Sequence, residues 1–246
     1  MLLVVSKENK NNREKVFQSR IVYWFFIVFI NIIVGFYFTY LVKFPTFEGI
    51  TNVHHFHGFL NILWIAMMIV QPILITQKKF VWHRRIGRLS YALVPMLLLS
   101  IVMVLRIAYH RDMAILSHQD LMANVALGVP DLVIFAIIYS LAIIHTKKPE
   151  YHFRYMVGTS FMILGPGLGR AITGLSNLSP NDGADLSNNI TLSIVALCLA
   201  NDLYHKKSPV PFSIIFCLIL NMKIIFASRY SQEWQAFAEW FSWICF

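Results

Sequence analysis

Seven stretches of roughly 16–25 mostly apolar residues alternate with short polar segments along this 246-residue chain. Each stretch has the length a helix needs to cross ~30 Å of hydrocarbon. The pattern predicts helices over residues 21–42, 54–76, 83–109, 120–145, 152–174, 190–205 and 209–228, the sixth being the shortest. Three parts follow: a basic tail (1–20), a seven-helix transmembrane domain (21–228) and an aromatic last segment (229–246). The first stretch follows a polar, basic lead, is longer than a signal-peptide core and has no small-residue cleavage site after it, so it reads as a span. Residues 176–189, rich in Ser, Asn, Asp, Pro and Gly, read as a turn-forming loop.

The polar segments differ in charge. Basic residues crowd the tail and the second, fourth and sixth connections, among them Lys78, Lys79, Lys147, Lys148, Lys206 and Lys207. The other connections and the last segment hold only Lys43, Arg111 and Arg229, while Arg106, Arg170 and Lys223 fall inside the apolar stretches. By the positive-inside rule the N-terminus is cytoplasmic and the C-terminus outside. The expected class is thus an all-α integral membrane protein of the bacterial cytoplasmic membrane.

With 57% apolar and 13% charged residues, the chain is far from the roughly one-quarter charge of a soluble domain. The net charge of +9 sits in loops that meet anionic lipid, so the lipid bilayer is the expected partner and nucleic acid is not. The three cysteines are widely spaced, with no paired-cysteine motif. Trp234, Phe237, Trp240, Phe241 and Trp243 give the last segment a helical aromatic pattern. Two readings stand for it: a helix lying on the outer membrane surface, or a tail anchored by tryptophan.

Candidate chemistry lies at the ends of the helices. His54, His55, His57, His110 and His118 fall at the outer ends, and His83, His145, His152 and His205 at the inner ends. Imidazole is tolerated at the headgroup boundary without a function. Yet His57 and His118 begin two inward helices, and His83 and His152 begin two outward ones. Two histidine pairs on four consecutive helices suit two b-type haems, with quinol as a candidate redox partner. The run His54-His55-Phe56-His57 also suits copper or zinc.

The charges inside the spans are the second candidate. Asp131 lies near mid-membrane, with Arg106 and Arg170 in the outer third. An intramembrane charge costs at least ~2.5 kcal/mol and usually faces a partner or a cavity. Asp131 is expected to pair with Arg170 or Arg106. The three form either an outward polar pocket with His57 and His118 for an anionic solute, or two snorkelling arginines and a protonated packing residue. Lys223 is expected to snorkel. The stretch Gly165-Pro166-Gly167-Leu168-Gly169 is expected to serve close helix packing, the alternative being an unwound segment beside a site.

Two resemblances bear on these residues. The four histidines, His57, His83, His118 and His152, resemble the crossed ligand pairs of the di-haem cytochrome b561 architecture, which implies transmembrane electron transfer. Four motifs together span residues 54–207. They are His57-Gly58 followed by Trp64 and Gln71; His83-Arg84-Arg85-Ile86-Gly87-Arg88; His152-Phe153-Arg154-Tyr155-Met156 followed by Arg170; and Asn201-Asp202-Leu203-Tyr204. By these motifs the chain is similar to a large family of bacterial multi-pass membrane proteins, a domain of unknown function, which implies membrane location and no particular activity.

Overall fold

Hydrocarbon offers no water to bond a backbone, so each span must satisfy its own N–H and C=O groups. The computed structural model describes residues 21–246 and does this with helices, with no strand among the described residues. The basic tail, 1–20, lies outside the described residues. The helices are α1 (Ile21–Tyr37), α2 (Asn52–Thr76), α3 (Phe80–Arg88), α4 (Ser90–Asp112), α5 (His118–Asn124), α6 (Val129–Ile144), α7 (Pro149–Leu175), α8 (Pro180–Tyr204), α9 (Val210–Ala227) and α10 (Gln232–Cys245). Five segments are long and apolar enough to cross a membrane: α2, α3 with α4, α5 with α6, α8, and α9. The chain is a multi-pass membrane protein.

α7 is longer than most of these, at 27 residues, yet is not among the five. Its composition follows from its position. It packs against α6, α8 and α9, and α1 lies along it, with the Trp24 indole donating to Ser160 Oγ at 2.9 Å. A helix surrounded by protein gains from small residues that let backbones approach, and need not be apolar. Gly158, Thr159, Ser160 and Gly167 are accordingly buried. The adjoining core holds Trp64, Phe135, Tyr155, Phe161 and Ile215. Large apolar side chains such as Ile144 and Leu197 instead lie 72% and 70% exposed, as lipid-facing positions require.

Helix boundaries differ from the sequence reading: the third stretch, for one, begins at Phe80 and breaks after Arg88. The first helix stops at Tyr37, and Tyr40 and Phe47 turn back to pack with His55, with Phe44 against Phe47. The fourth apolar stretch is interrupted: α5 passes into a short 3-10 turn, Val125–Leu127, and α6 restarts after Gly128 with Pro130 in its first turn. The largest correction concerns 176–189, which is mostly helix, α8 beginning at Pro180 rather than at 190. The same residues that signal turns also start helices. Ser179 accepts from the Asp182 N–H at 3.2 Å, and Pro180 occupies a position whose missing N–H costs nothing. Ser179→Ala is expected to cost about 0.5–2 kcal/mol and to speed hydrogen exchange in the first turns of α8. Unchanged exchange there would show that this cap contributes little.

The Gly165–Gly169 segment remains helical within α7, and serves close packing. Gly167 lies against Asn31 and Ile32 of α1, and Gly169 against Gly183 and Ala184 of α8. Side chains from the neighbours reach its carbonyls: Asn31 Nδ2 donates to Leu164 O at 3.1 Å, and Ser187 Oγ to Gly165 O at 2.8 Å. These two bonds tie α1 and α8 to the α7 backbone beside Pro166.

Candidate polar sites at the two ends of the bundle

Alternating helices place the basic loops at one end of the bundle and the starts of α2, α5 and α8 at the other. At that other end, His54 and His55 diverge because successive helical residues point about 100° apart, and the three histidines of α2 take three different partners. His54 turns back to Thr51, its Nδ1 2.9 Å from Oγ1, and takes part in the helix cap. His55 meets the Tyr40 hydroxyl. His57 faces α4, with Nδ1 2.9 Å from Ser100 Oγ. The expected His54–His55–His57 metal cluster therefore does not form. Among the described residues, no three His, Cys, Asp or Glu side chains converge.

The surroundings of His57 define its tautomer. Ser100 Oγ donates its proton to Leu97 O at 2.7 Å, so it accepts from His57 Nδ1–H. The Nε2 lone pair then accepts from Asn61 Nδ2 at 3.0 Å. His57 is thus a neutral imidazole with both nitrogens engaged. His118, its proposed haem partner, is 68% exposed at the start of α5, its Nε2 3.8 Å from Glu239 Oε1 of α10. No contact joins His57 and His118 among the described residues.

The intramembrane charges sort in the same way. Arg106 is exposed, with no hydrogen bond or ion pair among the described residues. Asp131 lies in the first turn of α6, just after the helix break, where a helix N-terminus favours negative charge. Arg170 of α7 acts on Asp131 electrostatically, but the two make no direct salt bridge. Arg170 also acts on His57. Its guanidinium lies over the Phe36 ring, 4.7 Å from the centroid, and Nη1 donates to Pro166 O at 3.0 Å. The side chain is nonetheless exposed. Arg170 thus touches α1 through the Phe36 ring, and among the described residues one of its N–H donors is used. Lys223, expected to snorkel, instead binds Asp185 of α8 at 3.3 Å and the Asn189 side chain.

At the basic end, α2 and α3 bring together Gln71 and His83. The Gln71 amide accepts from the Gly87 N–H at 3.1 Å and donates to the His83 carbonyl at 3.3 Å and to His83 Nδ1. His152 Nδ1 donates to Ala142 O at 2.8 Å, which leaves its Nε2 lone pair free. His83 and His152 act on each other electrostatically. Nearby, Ser90 Oγ and the Tyr139 hydroxyl bond at 2.8 Å across α4 and α6. Between the two ends lies Trp64, fully buried, its Nε1 without a hydrogen-bond partner among the described residues.

The strongest polar contact of the bundle joins two residues quoted above only as motif members. Arg154 Nε donates to Asp202 Oδ2 at 2.5 Å and Nη2 to Oδ1 at 3.0 Å, a two-point pair between α7 and α8. Arg154 Nη1 also donates to Glu150 O at 3.0 Å. The two residues are equidistant in sequence from Leu178, the middle of the α7–α8 hairpin. That symmetry is the signal by which the pair is recognisable in an antiparallel hairpin. No family model, curated protein or solved structure matches this chain.

Proposed function

We propose that seven segments, α1, α2, α3–α4, α5–α6, α7, α8 and α9, cross a bacterial cytoplasmic membrane, with the basic end in the cytoplasm. The protein binds a small anionic solute from the outer side, as a transporter or sensor, in a pocket formed by Arg170, His57 and Asp131. The observation that carries this reading is the accessible Arg170 guanidinium. It lies over the Phe36 ring, acts electrostatically on His57 and Asp131, and among the described residues spends one donor on the backbone. An arginine fork with free N–H groups suits carboxylate or phosphate, and an intramembrane charge with no direct counter-ion is by default a functional group.

Titration calorimetry on the detergent-purified protein, with acetate, benzoate and inorganic phosphate as probes, tests the reading. Arg170→Ala is expected to weaken binding at least tenfold, about 1.4 kcal/mol or more. Equal binding by the variant, or none by the unaltered protein, sinks it.

A second reading rests on the basic end. His83 and His152 act on each other electrostatically, and His152 Nε2 has no partner among the described residues; the pair suits a single b-type haem, and electron transfer from quinol would follow. The cytochrome b561 likeness supports this pair better than His57 with His118, since His118 stands beside Glu239. Oxidised and dithionite-reduced visible spectra of protein made with ample haem decide it. Sharp reduced bands lost in His152→Ala support it, and a haem-free spectrum rejects it.

A further inference from the structure

We propose that α3 is a recognition element for anionic phospholipid: the phosphate of one lipid sits among Arg84, Arg85 and Arg88, and its acyl chains lie along Trp82 and Leu89. This goes beyond the general attraction of basic loops for lipid, because it assigns one site with its own side chains. Length comes first. α3 and α4 join at Leu89, which keeps helical backbone angles, and together they run 33 residues, about 50 Å of helix. α4 by itself, at 23 residues, is long enough to cross ~30 Å of hydrocarbon. α3 is therefore left at the headgroup level, where arginine is tolerated and tryptophan is favoured.

One face of α3 is tied to the bundle. His83 and Gly87 meet the Gln71 amide of α2, and Ile86 packs on the core. The rest of the helix surface exposes Val81, Trp82, Arg84, Arg85 and Arg88, with Leu89 exposed just after it. Arg88 stands four residues after Arg84 and three after Arg85, so both are its neighbours on the helix surface. The Arg85 guanidinium lies 5.5 Å from the centre of the Trp82 ring. Among the described residues, none of the three arginines has a hydrogen bond or ion pair. The sequence holds no Asp or Glu between Glu48 and Asp112. Like charges at this spacing repel, and an anion lying between them removes the repulsion. A phosphate accepts from several guanidinium forks at once. The exposed apolar side chains beside the arginines select the source of that phosphate. A free phosphate would leave Val81, Trp82 and Leu89 in water, whereas a lipid covers them with hydrocarbon while its headgroup meets the arginines.

The test is native mass spectrometry of the full-length protein in mild detergent. The probes are palmitoyl-oleoyl phosphatidylglycerol, the phosphatidylcholine with the same chains, and inorganic phosphate. Phosphatidylglycerol is expected to bind about tenfold more tightly than phosphatidylcholine. Arg84→Gln with Arg88→Gln is expected to erase that preference, and Trp82→Ala to weaken the binding of both lipids. Lys147→Gln with Lys148→Gln removes the same charge from another basic connection and is expected to keep the preference. The arginines are exposed, so the Arg84→Gln, Arg88→Gln variant should melt with the unaltered protein in phosphatidylcholine, which separates loss of the site from loss of the fold. No preference in the unaltered protein overturns the proposal. Equal losses in the two double variants also overturn it, since diffuse charge would then be the cause. Displacement of phosphatidylglycerol by millimolar inorganic phosphate overturns the lipid as the source of the anion.

Discussion

Asp202→Ala lowers the stability of the detergent-solubilised protein by about 3–5 kcal/mol, the usual result of leaving one charge of a buried pair alone. Arg154 is 6% exposed and Asp202 is 3% exposed, so water cannot replace the lost partner. The guanidinium would keep its contact with Glu150 O and a distant Glu150 carboxylate at 3.7 Å, neither of which matches a two-point bond. A fall in the thermal midpoint of order 10 °C corresponds to that loss at this chain length. Arg154→Met is expected to be similarly damaging. The double variant Arg154→Met with Asp202→Leu should be less destabilised than the sum of the two, because it removes both charges and fills the space. A single variant melting with the unaltered protein would show that the pair contributes no net stability. Additive losses would show that the two side chains act independently.

Gly35→Val separates α1 from α7. A Cβ on Gly35 would run into the Gly167 carbonyl, a backbone group that no rotamer change can move aside. Overpacking of a close contact costs about 1–3 kcal/mol and occasionally more. The upper part of that range is expected, because the Trp24–Ser160 and Asn31–Leu164 hydrogen bonds depend on the same approach of the two helices. Gly167→Val should act alike, since its Cβ would meet Asn31. The measurement is thermal stability in detergent, together with crosslinking between cysteines introduced on the facing surfaces of α1 and α7. Wild-type melting in both variants would show that this pair of glycines does not set the distance between the helices.

The two predictions draw on different kinds of residue, and they differ in how far sequence reveals them. Gly167 stands in a run of small residues inside an apolar stretch, a known mark of a helix contact. Its partner Gly35 is an ordinary glycine in a long apolar stretch, and nothing in its spacing points to residue 167. Arg154 and Asp202 are visible as charges beside basic loops, where lipid headgroups would satisfy them equally well. Only the close packing of α7 on α8 shows that they are buried against each other. His54, His55 and His57 carry the opposite lesson. Close in sequence, they resemble a metal cluster, but their side chains bond Thr51, Tyr40 and Ser100. Residues 176–189 show a third limit, since Ser, Pro and Asp before a helix are the same residues that make turns.

The sequence by itself determined the helical, multi-pass class of this protein. Apolar stretches of this length have few other ways to satisfy a backbone in hydrocarbon, and charge alternation along them sets the proposed orientation. It also marked Asp131, Arg170, His57, His83 and His152 as costly groups needing a reason. The tertiary structure alone decided which of them meet. Partnership depends on the rotation of each helix about its axis and on its register against its neighbours, and linear spacing leaves both free until α7 is packed between α1, α6, α8 and α9. That packing set Arg154 against Asp202 and Arg170 over the Phe36 ring, sent His57 to Ser100, and left His118 on the surface with Glu239.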